Sequence, residues 1–164
     1  GLATIMLALG GVELAVLHCV GHALIKTMLS LTAGNIQLGC GIRTIRDIGG
    51  LLERMPRNAI LWLAGLFLIS GTPPSPLFVT EFVLVRRAGP VLGGIILLLL
   101  FVIFAGMSQA MVKMCMGAGD RKPYPLAAIT GEKLWPIPLL VGLATLTVGA
   151  ILTYMLDGAI KIML

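Results

Sequence analysis

In the apolar run ELAVLHCVGHALIKTMLSLTAG, His18, His22 and Lys26 fall at i, i+4 and i+8. At about 100° per residue, each step of four drifts by about 40°, so the three groups climb one face of a helix over about 12 Å. A lysine at the bilayer centre costs about 2.5–3.5 kcal/mol on insertion scales, so the stripe demands protein or water around it. Histidine titrates near neutral pH and passes protons through either ring nitrogen. A buried lysine loads and releases a proton readily. The chemistry this spacing points to is proton transfer along a helix face. Two other readings stay open. Histidines at i and i+4 can hold a metal ion, although the sequence offers no H-E-x-x-H motif, Cys pair or third ligand at useful spacing. They can also be satisfied core histidines.

A second group follows an interrupted helix. AILWLAGLFLISG is succeeded by TPPSP and then LFVTEFVLV. Pro73, Pro74 and Pro76 remove backbone donors and clash with the preceding turn, so a helix here breaks at Thr72–Pro76. The freed carbonyls need partners in protein or water, which places the break inside the protein near the midplane. Discontinuous helices at that depth recur in ion-translocating proteins. Glu81 comes shortly after the break, among Phe78, Val79, Phe82 and Val83, and is the natural counterpart of the stripe. A structural ion pair with Arg86 is the competing reading, weakened by the i+5 spacing. Thr27, Ser30, Asn35 and Gln37 extend polarity beyond Lys26, either as sites for water or as helix–helix hydrogen bonds. Glu13 reads as an interfacial charge, Lys113 as a snorkelling end-of-helix lysine, and Asp157 with Lys161 as an ion pair.

The elements that must carry these groups are apolar. Of 164 residues, 58% are hydrophobic and 12% charged, with a mean hydropathy of +1.04; soluble domains carry about 25% charged residues. The expected fold is therefore an all-α membrane protein. About four transmembrane helices are readable: 12–38, 58–85 with its break, 90–116 and 136–156. Residues 1–11 are read as the tail of another helix, being too short to span, and 12–164 as a C-terminal transmembrane bundle. The net charge of +5 is no nucleic-acid signal, because the basic residues sit in loops and no binding motif accompanies them. Cys19, Cys40 and Cys115 lack C-x-x-C spacing and read as small apolar residues. No secretory signal is visible, and the opening at Gly1 inside an apolar run reads as a fragment or split-gene product.

Loop charge sets an expected orientation. Arg43, Arg46, Arg54, Arg57, Arg121, Lys122 and Lys133 lie on one side, against Arg86, Arg87 and Lys161 on the other. By the positive-inside rule the first and third loops are cytoplasmic. The stretch IRDIGGLLERM in the first loop is either a solvated loop or a short helix on the bilayer surface or a partner subunit.

The run His18-Cys-Val-Gly-His22-Ala-Leu-Ile-Lys26 resembles the H-x-x-x-H-A-x-x-K motif of antiporter-like proton-translocating subunits. That family is shared by respiratory complex I, multi-subunit cation/proton antiporters of the Mrp type and group 4 membrane-bound hydrogenases. IRDIGGLLERMPRNA and ISGTPPSPLFVTEF are similar to the family's later motifs, so the resemblance covers about 10–85. Ala33-Gly34-Asn35-Ile36 and the acid at Glu81 look most like the hydrogenase-4 component F type. The resemblance implies that His18, His22 and Lys26 belong to a central hydrophilic axis and that Glu81 ends the proton path. Such subunits are built as two inverted repeats, and the first is not in these residues.

The expected function is a proton-translocating membrane subunit of a redox-driven complex, itself without cofactor, metal site or redox chemistry. Its partners would be other membrane subunits, the lipid bilayer and protons, with no nucleic acid, in a prokaryotic inner membrane. The alternatives are a sodium/proton antiporter subunit or a structural subunit that does not conduct.

Overall fold

The computed structural model describes residues 2–41, 48–117 and 131–163, with side chains as far as Met155. Arg43, Arg46, Asp47, Arg121 and Lys122 lie outside the described residues, as do the side chains of Asp157 and Lys161.

Six helical elements follow one another and no strand occurs among the described residues. They are α1 (Leu2–Gly10), α2 (Val12–Cys40), α3 (Leu51–Arg54), α4 (Pro56–Ile69), α5 (Pro76–Met116) and α6 (Pro136–Met163). The 29 residues of α2 are longer than the roughly 20 that a hydrocarbon core of about 30 Å requires. Three stretches are long and apolar enough to cross a membrane, Val12–Cys40, Pro76–Met116 and Gly131–Met155, while Pro56–Ile69 is a shorter apolar helix. Large apolar side chains stand outward, among them Leu98, Phe101 and Val102 at 60% exposure or more. A surface of that kind requires lipid or another apolar partner. The chain is an all-α integral membrane protein.

Local chemistry explains where the helices stop. Gly11, at φ 87°, separates α1 from α2 by a conformation that only glycine adopts readily. Proline opens α4 at Pro56 and α5 at Pro76, where the missing N–H would be unpaired anyway. Within α5 the backbone leaves helical geometry at Gly89 (φ 77°), just before Pro90. The element is thus two rods, matching the segments expected to end near Val85 and to begin at Pro90. Their walls face each other across a cavity, Glu81 and Val85 on one side and Leu97, Leu100 and Phe104 on the other.

The core runs along α2 in three layers. Ala15 packs with Met6, Leu84 and Ile96. Ile25 and Met28 pack with Leu61, Leu68 and Leu77. Ile36 and Cys40 pack with Ile48, Leu51, Met55, Ala59, Met114 and Cys115. The last layer departs from the solvated-loop reading of IRDIGGLLERM. Ile48, Leu51 and Met55 are buried because α3 turns its apolar positions onto the ends of α2 and α5, and only one helical turn forms.

Candidate functional site

The helix break is an ordered structure with its carbonyls satisfied. The Ser70 hydroxyl donates to Leu66 O at 2.5 Å, Thr72 to Phe67 O at 2.7 Å and Ser75 to Leu68 O at 2.7 Å. These are the carbonyls at the end of α4 that a continuing helix would have engaged. Ser75 then caps α5, accepting from Leu77 N at 3.2 Å, as short hydroxyl side chains do at helix N-termini. The requirement that buried carbonyls find partners is met by the hydroxyls interleaved with the prolines.

Two glycines let neighbouring helices close on the break. A Cβ at Gly21 would meet the Pro76 ring at 3.1 Å, and one at Gly149 would overlap the Pro74 carbonyl and lie 2.9 Å from Pro76 N. Ser75 and Pro76 are consequently buried, whereas Pro73 and Pro74 are exposed. The break is wedged between α2 and α6.

This wedging sets the fate of the stripe. His18 is 6% exposed, and its Nδ1 lies 3.0 Å from Thr80 Oγ1. Thr80, fully buried, gives its hydroxyl proton to Leu77 O at 3.0 Å. With that proton committed, the imidazole donates from Nδ1, which leaves Nε2 as the nitrogen able to take up or release a proton. His22 stacks on His18, ring centroids 6.0 Å apart and planes 22° inclined, and stands on the exposed side. Lys26 is exposed as well. The 40° drift per step carries the stripe from interior to surface: His18 and His22 are brought together, and Lys26 continues the line without an ion pair to Glu81 among the described residues.

Glu81 follows Thr80 directly and is half-buried. Its carboxylate presses on Gly71, where a Cβ would overlap Oε2. Gly71 also has φ +68°, so this position needs glycine for conformation and for space. The carboxylate borders a cavity of about 430 Å³ lined by Ser70, Gly71, Thr72 and the rings of Phe78, Phe82, Phe101 and Phe104. No hydrogen bond or ion pair to Glu81 is present among the described residues, and the pairing with Arg86 is not formed there.

Sequence reasoning missed a polar knot at the far end of α2. Asn35 Nδ2 donates to Asn58 Oδ1 at 3.2 Å. Asn58, fully buried, donates to Gly131 O at 3.2 Å and to Glu132 Oε2 at 2.8 Å. The other Glu132 oxygen accepts from Arg57 N at 3.0 Å, and the Arg57 guanidinium lies 5.2 Å over the Trp135 ring. The usable signal was an asparagine next to an apolar run, which must be paired once buried. Of the four polar residues beyond Lys26, Asn35 bonds another helix and Thr27 bonds its own Ala23 O at 2.8 Å. Ser30 and Gln37 are exposed, and so are Glu13 and Lys113. Cys40 and Cys115 share an apolar core layer, and Cys19 is exposed. Among the described residues, no group of three His, Cys, Asp or Glu side chains could hold a metal ion.

A buried histidine hydrogen-bonded across to a proline-broken helix that carries an acid defines a class of membrane protein, and the sequence match agrees. Residues 1–114 match the family described as NADH:quinone oxidoreductase/Mrp antiporter, transmembrane. The chain belongs to that family. It is 42% identical over 60 residues to the large Na(+)/H(+) antiporter protein of Alkalihalophilus pseudofirmus, covering 37% of this chain and 8% of that protein. It is 36% identical over 67 residues to formate hydrogenlyase subunit 3 of Escherichia coli, covering 41% and 11%. It is 32% identical over 71 residues to NADH-quinone oxidoreductase subunit N of Desulforudis audaxviator, covering 43% and 14%. The matched segment is thus about a tenth of each relative's length.

Proposed function

We propose that this chain is part of a proton-translocating membrane subunit in a redox-driven complex, of the group 4 hydrogenase or complex I-like kind. The observation that carries the reading is the His18–Thr80 hydrogen bond, 3.0 Å long, one residue from Glu81. It couples the protonatable stripe on α2 to the broken helix. In this reading a proton moves among Lys26, His22, His18 Nε2 and Glu81 with water between them. Protonation of one group changes the affinity of its neighbours, so they titrate as a coupled set. Thr80 holds one His18 tautomer, and Gly71 leaves room for the Glu81 carboxylate. The redox chemistry, with its cofactors, belongs to partner subunits. The hydrogenase-4 component F type is the subgroup we favour, on Ala33-Gly34-Asn35-Ile36 and Glu81. In this reading the chain crosses a prokaryotic inner membrane four times, residues 12–164 form a C-terminal bundle after the end of an earlier helix at 1–11, and the loops at 41–55 and 117–135 face the cytoplasm.

A sodium/proton antiporter subunit is the second reading, favoured by the 42% identity to a protein of such an antiporter. The test is proton transport in inside-out vesicles carrying the assembled complex. Lys26→Ala and Glu81→Gln are each expected to abolish transport while the complex still assembles. Unchanged transport in either variant overturns the proposal. Replacement of sodium by choline separates the two readings, since only an antiporter loses its proton flux.

A further inference from the structure

The cavity beside Glu81 has features that proton transfer does not require. Its volume of about 430 Å³ falls within the range of small-molecule sites, about 300–1,000 Å³. Four phenylalanine rings line it, Phe78, Phe82, Phe101 and Phe104, and its one ionisable lining group is the Glu81 carboxylate. Phe78 and Phe82 stack at 6.0 Å between centroids. The rim is apolar and outward-facing, with Leu97 54%, Phe101 66% and Phe82 43% exposed. A ligand therefore reaches the cavity sideways, from the hydrocarbon.

Aromatic faces attract cations through their quadrupole, most strongly when the cation is desolvated. A carboxylate without a described partner supplies the matching charge. A neutral hydrophobic molecule would leave that carboxylate uncompensated in apolar surroundings, and a fatty-acid anion would repel it. A zwitterionic phospholipid would bring its phosphate against the same carboxylate. The complementary ligand carries a positive ammonium on an apolar tail and no phosphate.

We infer that this cavity is a binding site for amphiphilic ammonium ions, with the cation held between Glu81 and the phenylalanine faces and the tail leaving past Leu97 and Phe101. The inference does not depend on Glu81 conducting protons, and its test reads binding instead of transport.

The probe is a decyl trimethylammonium with a photoreactive group in its tail, applied to native membranes carrying the full assembly. Labelled peptides are identified by mass spectrometry. Labelling is expected within 78–104, with competition by excess decyl trimethylammonium. Glu81→Gln should weaken it about thirtyfold or more, Glu81→Asp should retain most of it, and Phe104→Leu should weaken it about threefold to thirtyfold. An uncharged tert-butyl analogue of the probe should not label this stretch above the level of other lipid-facing helices. Equal labelling by that analogue, or labelling unaffected by both Glu81→Gln and Phe104→Leu, overturns the inference.

Discussion

Replacing Thr80 by valine removes one hydroxyl from a fully buried position and keeps the side-chain shape. The hydroxyl accepts from His18 Nδ1 at 3.0 Å and donates to Leu77 O at 3.0 Å. After Thr80→Val the imidazole N–H faces a methyl group in a site where His18 is only 6% exposed. Leaving a buried donor unpaired costs about 1–3 kcal/mol. The ring escapes that cost by moving its proton to Nε2 or by rotating, and either move takes the free lone pair away from its place in the relay. If the whole cost falls on the conducting arrangement, transport slows about fivefold to 150-fold. Thr80→Ser is the control. It keeps the hydroxyl and loses a methyl group, which costs about 0.8 kcal/mol in transfer energy, with little effect on the relay. The assay is dye-monitored proton uptake by inside-out vesicles, normalised to assembled complex, with thermal stability measured in parallel. Two results refute the reasoning: wild-type transport in Thr80→Val, or an equal transport loss in Thr80→Ser.

Three further outcomes follow from the same contacts. Gly71→Ala should destabilise the assembled protein by about 1–2 kcal/mol from the left-handed backbone alone and should also displace the Glu81 carboxylate. Lowered stability together with reduced transport is expected, and a variant of wild-type stability would contradict the geometry at φ +68°. Asn58→Leu breaks the knot between α2, α4 and Glu132, so thermal stability should fall by about 1–3 kcal/mol, while transport per assembled complex stays near normal because the knot is remote from His18. Gly149→Val should loosen the break from α6, since even a Cβ there overlaps the Pro74 carbonyl; protease accessibility of the Thr72–Pro76 segment in native membranes is expected to rise.

The polar groups of the site were largely legible one by one. A histidine–histidine–lysine stripe is visible because helix geometry fixes the angle between residues four apart, and three prolines in four positions break a helix in any context. The termini at Gly11, Pro56, Pro76 and Gly89 likewise follow from backbone preferences acting over a few residues. Membrane insertion follows from composition, because a chain that is 58% hydrophobic and 12% charged has too little polar surface to dissolve. The one-turn α3 and its burial were less legible. Ile48, Leu51 and Met55 look like loop residues until the ends of α2 and α5 give them something to pack on.

What the sequence determined, then, is which groups share a face and where helices stop, since both are set by bonds and sterics within a turn or two of chain. Only the tertiary structure decided that His18 is buried while His22 and Lys26 are exposed, that Thr80 selects its tautomer, that Glu81 presses on Gly71, and that Asn58 meets Glu132. Each of these depends on how far a helix is rotated about its axis against its neighbours. That rotation is fixed by close approaches at Gly21 and Gly149, between residues separated by 55 positions or more in the chain, such as Gly21 and Pro76. Periodicity within one helix carries no information about contacts of that range.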